Sequence, residues 1–182
     1  MIQMFKNSGF ATVLTVLIVI CSILSGAARS LGGLRTEAEE FFTGGADGGK
    51  GIEHDLERIV ANSYNLVTIA RRYFENDNVV LAAVVNNRVA LMEADSPKEK
   101  HHAAVNLIFS ARFLAAEIKE TDIKLSDIDY AEECIVNIIA SEKVISISGY
   151  NQAARAFNET ISRFPANILR LLVGIGPLEL YE

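Results

Sequence analysis

Several residue types and patterns are scarce in this 182-residue sequence, which contains no tryptophan, three prolines and two cysteines. Few helix-breaking prolines, together with apolar runs that do not alternate at period two, argue against strands and favour helix. The cysteines, Cys21 and Cys134, lack the close spacing of metal or redox sites. Cys134 is therefore interpreted as a small buried apolar residue, and the sequence predicts an all-α protein.

Positive charge is in the minority after the first 28 residues. That part carries all but one of the 17 basic residues and all 23 acidic residues, an excess of seven negative charges. Nucleic acid and anionic lipid are polyanions that bind basic surfaces. The acidic balance therefore argues against nucleic acid, and against anionic lipid, as a partner of the globular part.

Charge is absent from the segment Gly9–Ala28, which has 20 residues and is rich in valine, isoleucine and leucine. A helix of this length spans about 30 Å, the thickness of the hydrocarbon core of a bilayer. The sequence thus predicts a single transmembrane anchor within residues 1–29, spanning from Gly9 to Ala28, with the lipid bilayer as its partner. Lys6 before it and Arg29 with Arg35 after it differ too little in number to set the orientation.

A secretory signal peptide is the alternative for the same segment. It has a short basic start, an apolar run and the small residues Ser25, Gly26 and Ala27, which suit a signal peptidase. The apolar run Phe10–Leu24 is at the upper limit of length for a signal peptide, so a membrane anchor is the favoured interpretation. Cleavage would instead give a secreted helical protein.

Glycine is concentrated between residues 30 and 51. Because glycine costs backbone entropy in a helix, we expect residues 30–51 to form a flexible Gly-rich tether, with at most one fraying turn at Thr36–Phe42. Phe41 and Phe42 beside two glutamates suggest either a docking peptide or a foot in the membrane interface, or else a turn that folds back onto the membrane surface or the domain. The turn is the favoured of these interpretations.

Residues 52–164 carry apolar residues at helical spacing and predict an antiparallel, up-down four-helix bundle. The second predicted helix is nearly all apolar but too short to cross a bilayer, so we expect a buried core helix. Ser96-Pro97-Lys98-Glu99 is a capping box with proline at the first helical position, and it starts the third helix. Residues 165–182 form an apolar tail that we expect to pack on the bundle. The helices are predicted at Ile52–Glu75, Val79–Met92, Pro97–Lys119 and Asp127–Phe164.

The last predicted helix is the longest. Ser126 with Asp129 repeats the capping pattern at its start, and Asp127 suits the positive end of the helix dipole. Pro165 ends it, because the residue before a proline avoids the helical region. Apolar residues, interrupted only by Lys143, define one stripe along a single continuous helix. The stripe consists of Val136, Ile139, Ile147, Tyr150, Ala154, Phe157, Ile161 and Phe164.

One pair of side chains, Glu99 and His102, has metal-ligand spacing. An E-x-x-H pair on one helix face is typical of di-iron carboxylate bundles, but such a site needs a second pair and two further glutamates. The other histidines, His54 and His101, have no glutamate three residues earlier, and Glu99 is already explained as a capping residue. The sequence therefore assigns no catalytic residue, no cofactor and no metal site; a metal-carboxylate or enzymatic bundle is the alternative.

A recognisable pattern occupies the end of the sequence: tyrosine-asparagine, phenylalanine-asparagine, isoleucine, phenylalanine-proline-x-asparagine, and a closing tyrosine-glutamate. The positions are Tyr150, Asn151, Phe157, Asn158, Ile161, Phe164, Pro165, Asn167, Tyr181 and Glu182. This pattern resembles the carboxy-terminal signature of the LemA family of bacterial membrane-anchored helical proteins. Leu91–Lys119 is similar to the middle helices of that family, and the resemblance covers most of residues 55–182.

The resemblance implies a single-pass anchor and an antiparallel helical bundle with no established enzymatic activity and no catalytic residues. In the family the membrane helix continues directly into the first bundle helix, whereas here a Gly-rich tether is predicted between them. We expect a non-catalytic structural or protein-interaction module at the bacterial cell membrane. The side of the membrane, the protein partner and the formation of a homo-oligomer are left open.

Overall fold

The computed structural model describes residues 8–44, 50–75 and 77–182. Within these ranges the chain forms helices and no strand, which confirms the all-α prediction. The prediction that concerns Lys6, and the part of the predicted tether at residues 45–49, lie outside the described residues. The helices are α1 Ser8–Thr43, α2 Ile52–Ala70, α3 Val79–Glu93, α4 Pro97–Glu120, α5 Leu125–Ser146, α6 Tyr150–Ser162 and α7 Ala166–Val173.

The described residues divide into two compact units. One, the anchor unit, contains the residues up to Ala38 together with Ala154–Leu178. The other, the helical unit, contains Glu39–Ala153 and Glu179–Glu182. These boundaries differ from the predicted ones, because the tail predicted at 165–182 is shared between the two units.

Helix α1 continues without interruption to Thr43, so the prediction of a flexible tether is wrong for residues 30–43. A glycine within a helix costs about 0.5–1 kcal/mol relative to alanine. Packing offsets this cost, since Leu31, Ala38 and Phe42 are buried and a large apolar side chain gains about 1.5–3 kcal/mol when fully buried. The prediction rested on the glycines alone and did not take into account the apolar residues Leu31, Ala38 and Phe42, which are spaced seven and four positions apart.

The helical unit is built around α2, which contacts α3, α4 and α5, while α4 contacts α3 and α5 as well. The apolar residues that recur at helical spacing along α2 and α4 are mostly buried, as expected. Helix α3 is buried on one side only, with Val79 and Met92 exposed, so the prediction of a buried core helix is wrong. Fully buried core side chains include Ile59, Leu66, Val84, Leu107, Leu114 and Ile138.

Capping determines the start of α4 but not that of α5. The Ser96 hydroxyl accepts the Glu99 N–H at 3.3 Å, and the Glu99 carboxylate accepts the Ser96 N–H at 3.3 Å, which confirms the predicted capping box. Helix α5 begins earlier than predicted, at Leu125, and its cap residue Lys124 makes no side-chain capping bond. The predicted cap at Ser126 is therefore wrong.

The long last helix is in fact two helices, α5 and α6, separated at residues 147–149. Gly149 adopts φ +74°, a left-handed conformation that ends a helix and that glycine adopts without steric cost. The stripe predicted for the first half is exposed: Val136 is 63% and Ile147 is 76% accessible. The buried side of α5 instead carries Ala131, Cys134, Ile138, Ser141 and Ile145.

Asp127 joins the start of α5 to the turn after α2. It accepts a hydrogen bond from the Tyr73 hydroxyl at 2.5 Å and one from the Arg72 guanidinium at 3.3 Å. The Tyr73 bond is the main reason that the pKa of Asp127 is lowered, and the same bond raises the pKa of Tyr73. In addition to its predicted role at the helix dipole, Asp127 therefore connects α5 to the turn after α2 by hydrogen bonds.

Replacing Tyr73 with phenylalanine is expected to destabilise the fold at neutral pH and to have no effect in acid. A carboxylate with a lowered folded-state pKa contributes stability above its unfolded-state pKa, here 3.8, and loses that contribution as the pH falls through the folded-state value. The check is urea denaturation of both proteins between pH 7 and pH 2. A difference in midpoint that does not shrink as the pH falls below 3.8 would contradict this linkage.

Candidate functional site

The carboxy-terminal motif fastens the end of the chain to the start of α6. In the helical unit, the Tyr150 hydroxyl donates to the Glu179 carbonyl at 2.6 Å. The Asn151 amide donates to the Tyr181 carbonyl at 2.8 Å and accepts the Tyr181 N–H at 2.7 Å. The side chain of Asn151 therefore replaces the backbone partner that a neighbouring strand would supply to an extended segment.

A second asparagine repeats this arrangement within the anchor unit. The Asn158 amide donates to the Leu178 carbonyl at 2.8 Å and accepts the Leu178 N–H at 2.8 Å. Backbone groups need hydrogen-bond partners when they are buried, and Leu178 is a buried residue. Asn151 and Asn158 are thus structural residues. The sequence pattern indicated the family to which they belong but not these hydrogen bonds.

The other motif residues are placed differently. Phe157 and Ile161 are buried, whereas Phe164 is 80% exposed and does not continue the stripe. The peptide bond between Phe164 and Pro165 is cis. Asn167 has a buried side-chain oxygen with no partner among the described residues, and Glu182 is exposed.

An aromatic cluster surrounds Phe42 in the helical unit. Its ring centroid lies 5.0 Å from that of Tyr150 and 6.0 Å from that of Tyr181. The Lys100 ammonium lies 5.4 Å from the centroid of the same ring, within range of a cation–π contact. Phe42 is therefore a packing residue, and the docking-peptide interpretation is wrong for this residue.

A cleft of about 480 Å³ lies beside this cluster, and its lining includes His101, Glu142, Gln152 and Tyr181. The rings of His101 and Tyr181 meet edge to face at 4.9 Å. Burial, and secondarily the charge of His102, lower the pKa of His101, while burial raises that of Tyr181. Both shifts favour the neutral form of the side chain, so the two groups offer hydrogen bonds and apolar contact rather than a charge.

The pair Glu99 and His102 does not form part of a metal cluster in the described ranges, where no group of three histidine, cysteine, aspartate or glutamate side chains could hold an ion. Glu99 accepts hydrogen bonds from the N–H groups of Asp95 and Ser96. His102 is exposed and lies beside His101. Glu99 is thus engaged in starting the helix.

An exposed apolar stripe runs along α4 on the side opposite its buried residues, and it was not predicted from the sequence. Val105, Phe109 and Phe113 are 50%, 63% and 54% exposed, and the two phenylalanine rings meet at 4.7 Å. These residues recur every four positions, which places them along one side of the helix. The signal was present in the sequence, since α4 carries large apolar residues on more than one face.

Comparison with known proteins supports the family resemblance. The family model described as LemA family matches residues 49–182, which confirms the resemblance drawn from the motif. No curated protein matches the chain.

Proposed function

Because the chain belongs to the LemA family, we propose that it is a non-catalytic, single-pass protein of the bacterial cell membrane that binds another protein through its helical unit. In this proposal α2–α5 form an antiparallel, up-down four-helix bundle. The observation that carries the proposal is the combination of an apolar anchor helix with a stripe of exposed phenylalanines on α4.

The anchor is supported by the exposure of the first part of α1. In the described chain this helix is long and apolar enough to cross a membrane, with a mean hydropathy of 2.4 over an 18-residue window that is not buried. Val13, Leu17 and Ile18 are all more than half exposed. Exposing so many large apolar side chains to water is unfavourable, whereas a bilayer would bury them.

A cleaved signal peptide passes the same test of length and composition, and a secreted helical protein is the alternative it implies. Carbonate extraction of native membranes, followed by intact-mass measurement, separates the two. We expect full-length protein in the membrane pellet. A shorter soluble form that begins near Ala28 would overturn the anchor.

Protein binding is supported by the stripe Val105, Phe109 and Phe113. Aromatic residues are enriched in the buried centres of protein interfaces, and a contiguous exposed apolar patch is typical of a binding surface. The rings of Phe109 and Phe113 meet edge to face and together present one apolar surface to the solvent. A second copy of the chain and a different membrane protein are both accommodated by this proposal.

A non-catalytic role is supported by the way in which the motif uses its polar groups. In both Asn151 and Asn158, the amide nitrogen donates to a backbone carbonyl and the amide oxygen accepts from a backbone N–H. Glu99, the one candidate metal ligand with the right spacing, caps α4. Elemental analysis that finds stoichiometric iron, manganese or zinc in the purified protein would favour the metal-carboxylate alternative.

The test of protein binding is a double substitution, Phe109→Ser with Phe113→Ser, in the full-length protein. We expect at least tenfold weaker retention of the partner, or weaker self-association, because interface aromatics often contribute 2 kcal/mol or more. The measurement is cross-linking in native membranes, followed by sedimentation in detergent.

The matched control for this test is Val136→Ser, a change at an apolar residue of α5 with the same exposure as Phe109. It is expected to leave binding unchanged. If the unmodified protein neither self-associates nor retains any partner, the proposal of protein binding is wrong.

A further inference from the structure

Helix α7 has no buried residue, although most of its side chains are apolar. Ile168, Leu171 and Leu172 are 52%, 70% and 65% exposed, and positions three and four apart lie on the same side of a helix. Phe164, just before the helix, is 80% exposed. Together these residues form an apolar patch that the rest of the described chain leaves uncovered.

The charge of this segment differs from that of the rest of the chain. Residues 160–178 include Arg163 and Arg170 but no acidic residue, in a protein with a net charge of −6. A short helix with an apolar side and basic residues beside it is typical of helices that lie in a membrane interface. The acidic balance of the residues after position 28, which argues against anionic lipid as a partner of the globular part, therefore does not apply to α7.

The attachment of α7 to α1 indicates what covers the apolar patch. Helix α7 and the part of the anchor helix α1 up to Ala38 belong to the same compact unit. The helix ends at Gly174, and two residues later the Gly176 carbonyl accepts a hydrogen bond from the Arg35 guanidinium of α1 at 3.2 Å. The residues that follow α7 are therefore attached to α1 itself.

The attachment lies close to the level at which the uncharged segment ends. Arg35 is six residues beyond Arg29, the first charged residue after that segment, which corresponds to about 9 Å along a helix axis. The headgroup layer on each side of a bilayer is roughly 5–8 Å thick. If α1 spans the membrane up to Ala28, Arg35 lies about 10 Å beyond the hydrocarbon core. The Gly176 carbonyl that it holds is then just outside the headgroup layer and within a few ångströms of it.

We propose that α7 lies in the interface of the same membrane that α1 crosses, with Phe164, Ile168, Leu171 and Leu172 inserted among the lipids. This inference rests on the proposed anchor. The bilayer is the occupant, because the patch continues a unit that already contains the membrane-spanning segment. A second contact with the membrane restricts rotation of this unit about the axis of α1.

The test is depth-dependent fluorescence quenching of the full-length protein in phosphatidylcholine–phosphatidylglycerol vesicles. Single cysteines are introduced by Leu171→Cys or Ile18→Cys in a background of Cys21→Ser and Cys134→Ala, and are labelled with an environment-sensitive dye. Lipids carry a nitroxide either near the headgroup or deep in the acyl chain. Thr160→Cys, at an exposed polar position of α6 in the same unit, controls for quenching by collision.

The expected result is a blue-shifted Leu171 probe that loses more fluorescence to the shallow nitroxide than to the deep one, with an Ile18 probe quenched most by the deep nitroxide. Quenching of Ile18 without quenching of Leu171 would overturn the placement of α7 and leave the anchor intact. If neither probe is quenched, the anchor itself is wrong. A Leu171 probe that is shielded from lipid and cross-links to a second copy would show that the patch is a protein interface instead.

Discussion

Replacing Phe42 with alanine is expected to lower the free energy of unfolding of the full-length protein by about 3–5 kcal/mol, the range for deleting a buried phenylalanine. The ring is 6% exposed and contacts Tyr150 and Tyr181. Alanine would leave a cavity between these rings and remove the apolar face over which Lys100 lies. Urea denaturation in detergent micelles, followed by circular dichroism, measures the change.

The control for this prediction is Phe109→Ala, which deletes the same atoms from a ring that is 63% exposed. Surface substitutions usually change the free energy of unfolding by about 0.5 kcal/mol or less. Equal losses for the two variants would mean that Phe42 is not a packing residue of the helical unit. Residues 41 and 42 would then regain their interpretation as a peptide that docks elsewhere.

Replacing Gly51 with alanine is expected to destabilise the protein by about 1–3 kcal/mol, the typical cost of forcing extra atoms into a packed site. A Cβ atom at this position would lie 2.3 Å from the carbonyl oxygen and 2.6 Å from the carbonyl carbon of Phe42. Both are backbone atoms, so they cannot move away as the end of a flexible side chain can. The end of α1 must shift, and the ring of Phe42 shifts with it.

Gly33→Ala is the matched control, because a Cβ atom there meets nothing within 4 Å. Gly33 lies within α1, where alanine is favoured over glycine by about 0.5–1 kcal/mol, so this variant is expected to be slightly more stable. The Gly51 prediction is further tested by a double-mutant cycle with Phe42→Ala. If the clash acts by displacing Phe42, the double variant will lose less stability than the sum of the losses in the two single variants. A loss equal to that sum would contradict this mechanism.

The sequence predicted the motif of the candidate site but not the contacts that its residues make. The spacing of Tyr150, Asn151 and Asn158 indicated the family, but no local rule predicts that asparagine side chains will pair with backbone near residues 178–181. Each such pair joins positions 20–30 residues apart, and periodicity reports only which residues share a face of one element. The cleft lined by His101 and Tyr181 depends on the same long-range pairing.

By itself the sequence determined the all-α class, the uncharged apolar segment at the start of the chain, the family and the start of α4, because helical periodicity, an absence of charge and a capping box are local properties. Only the tertiary structure decided that α1 continues through its glycines to Thr43 and that the long last helix breaks at Gly149. Burial of Leu31, Ala38 and Phe42 outweighs the cost of the glycines in α1. Gly149, in a left-handed conformation, turns the chain between α5 and α6. Each of these helices therefore buries its own set of residues, and no single stripe runs along both.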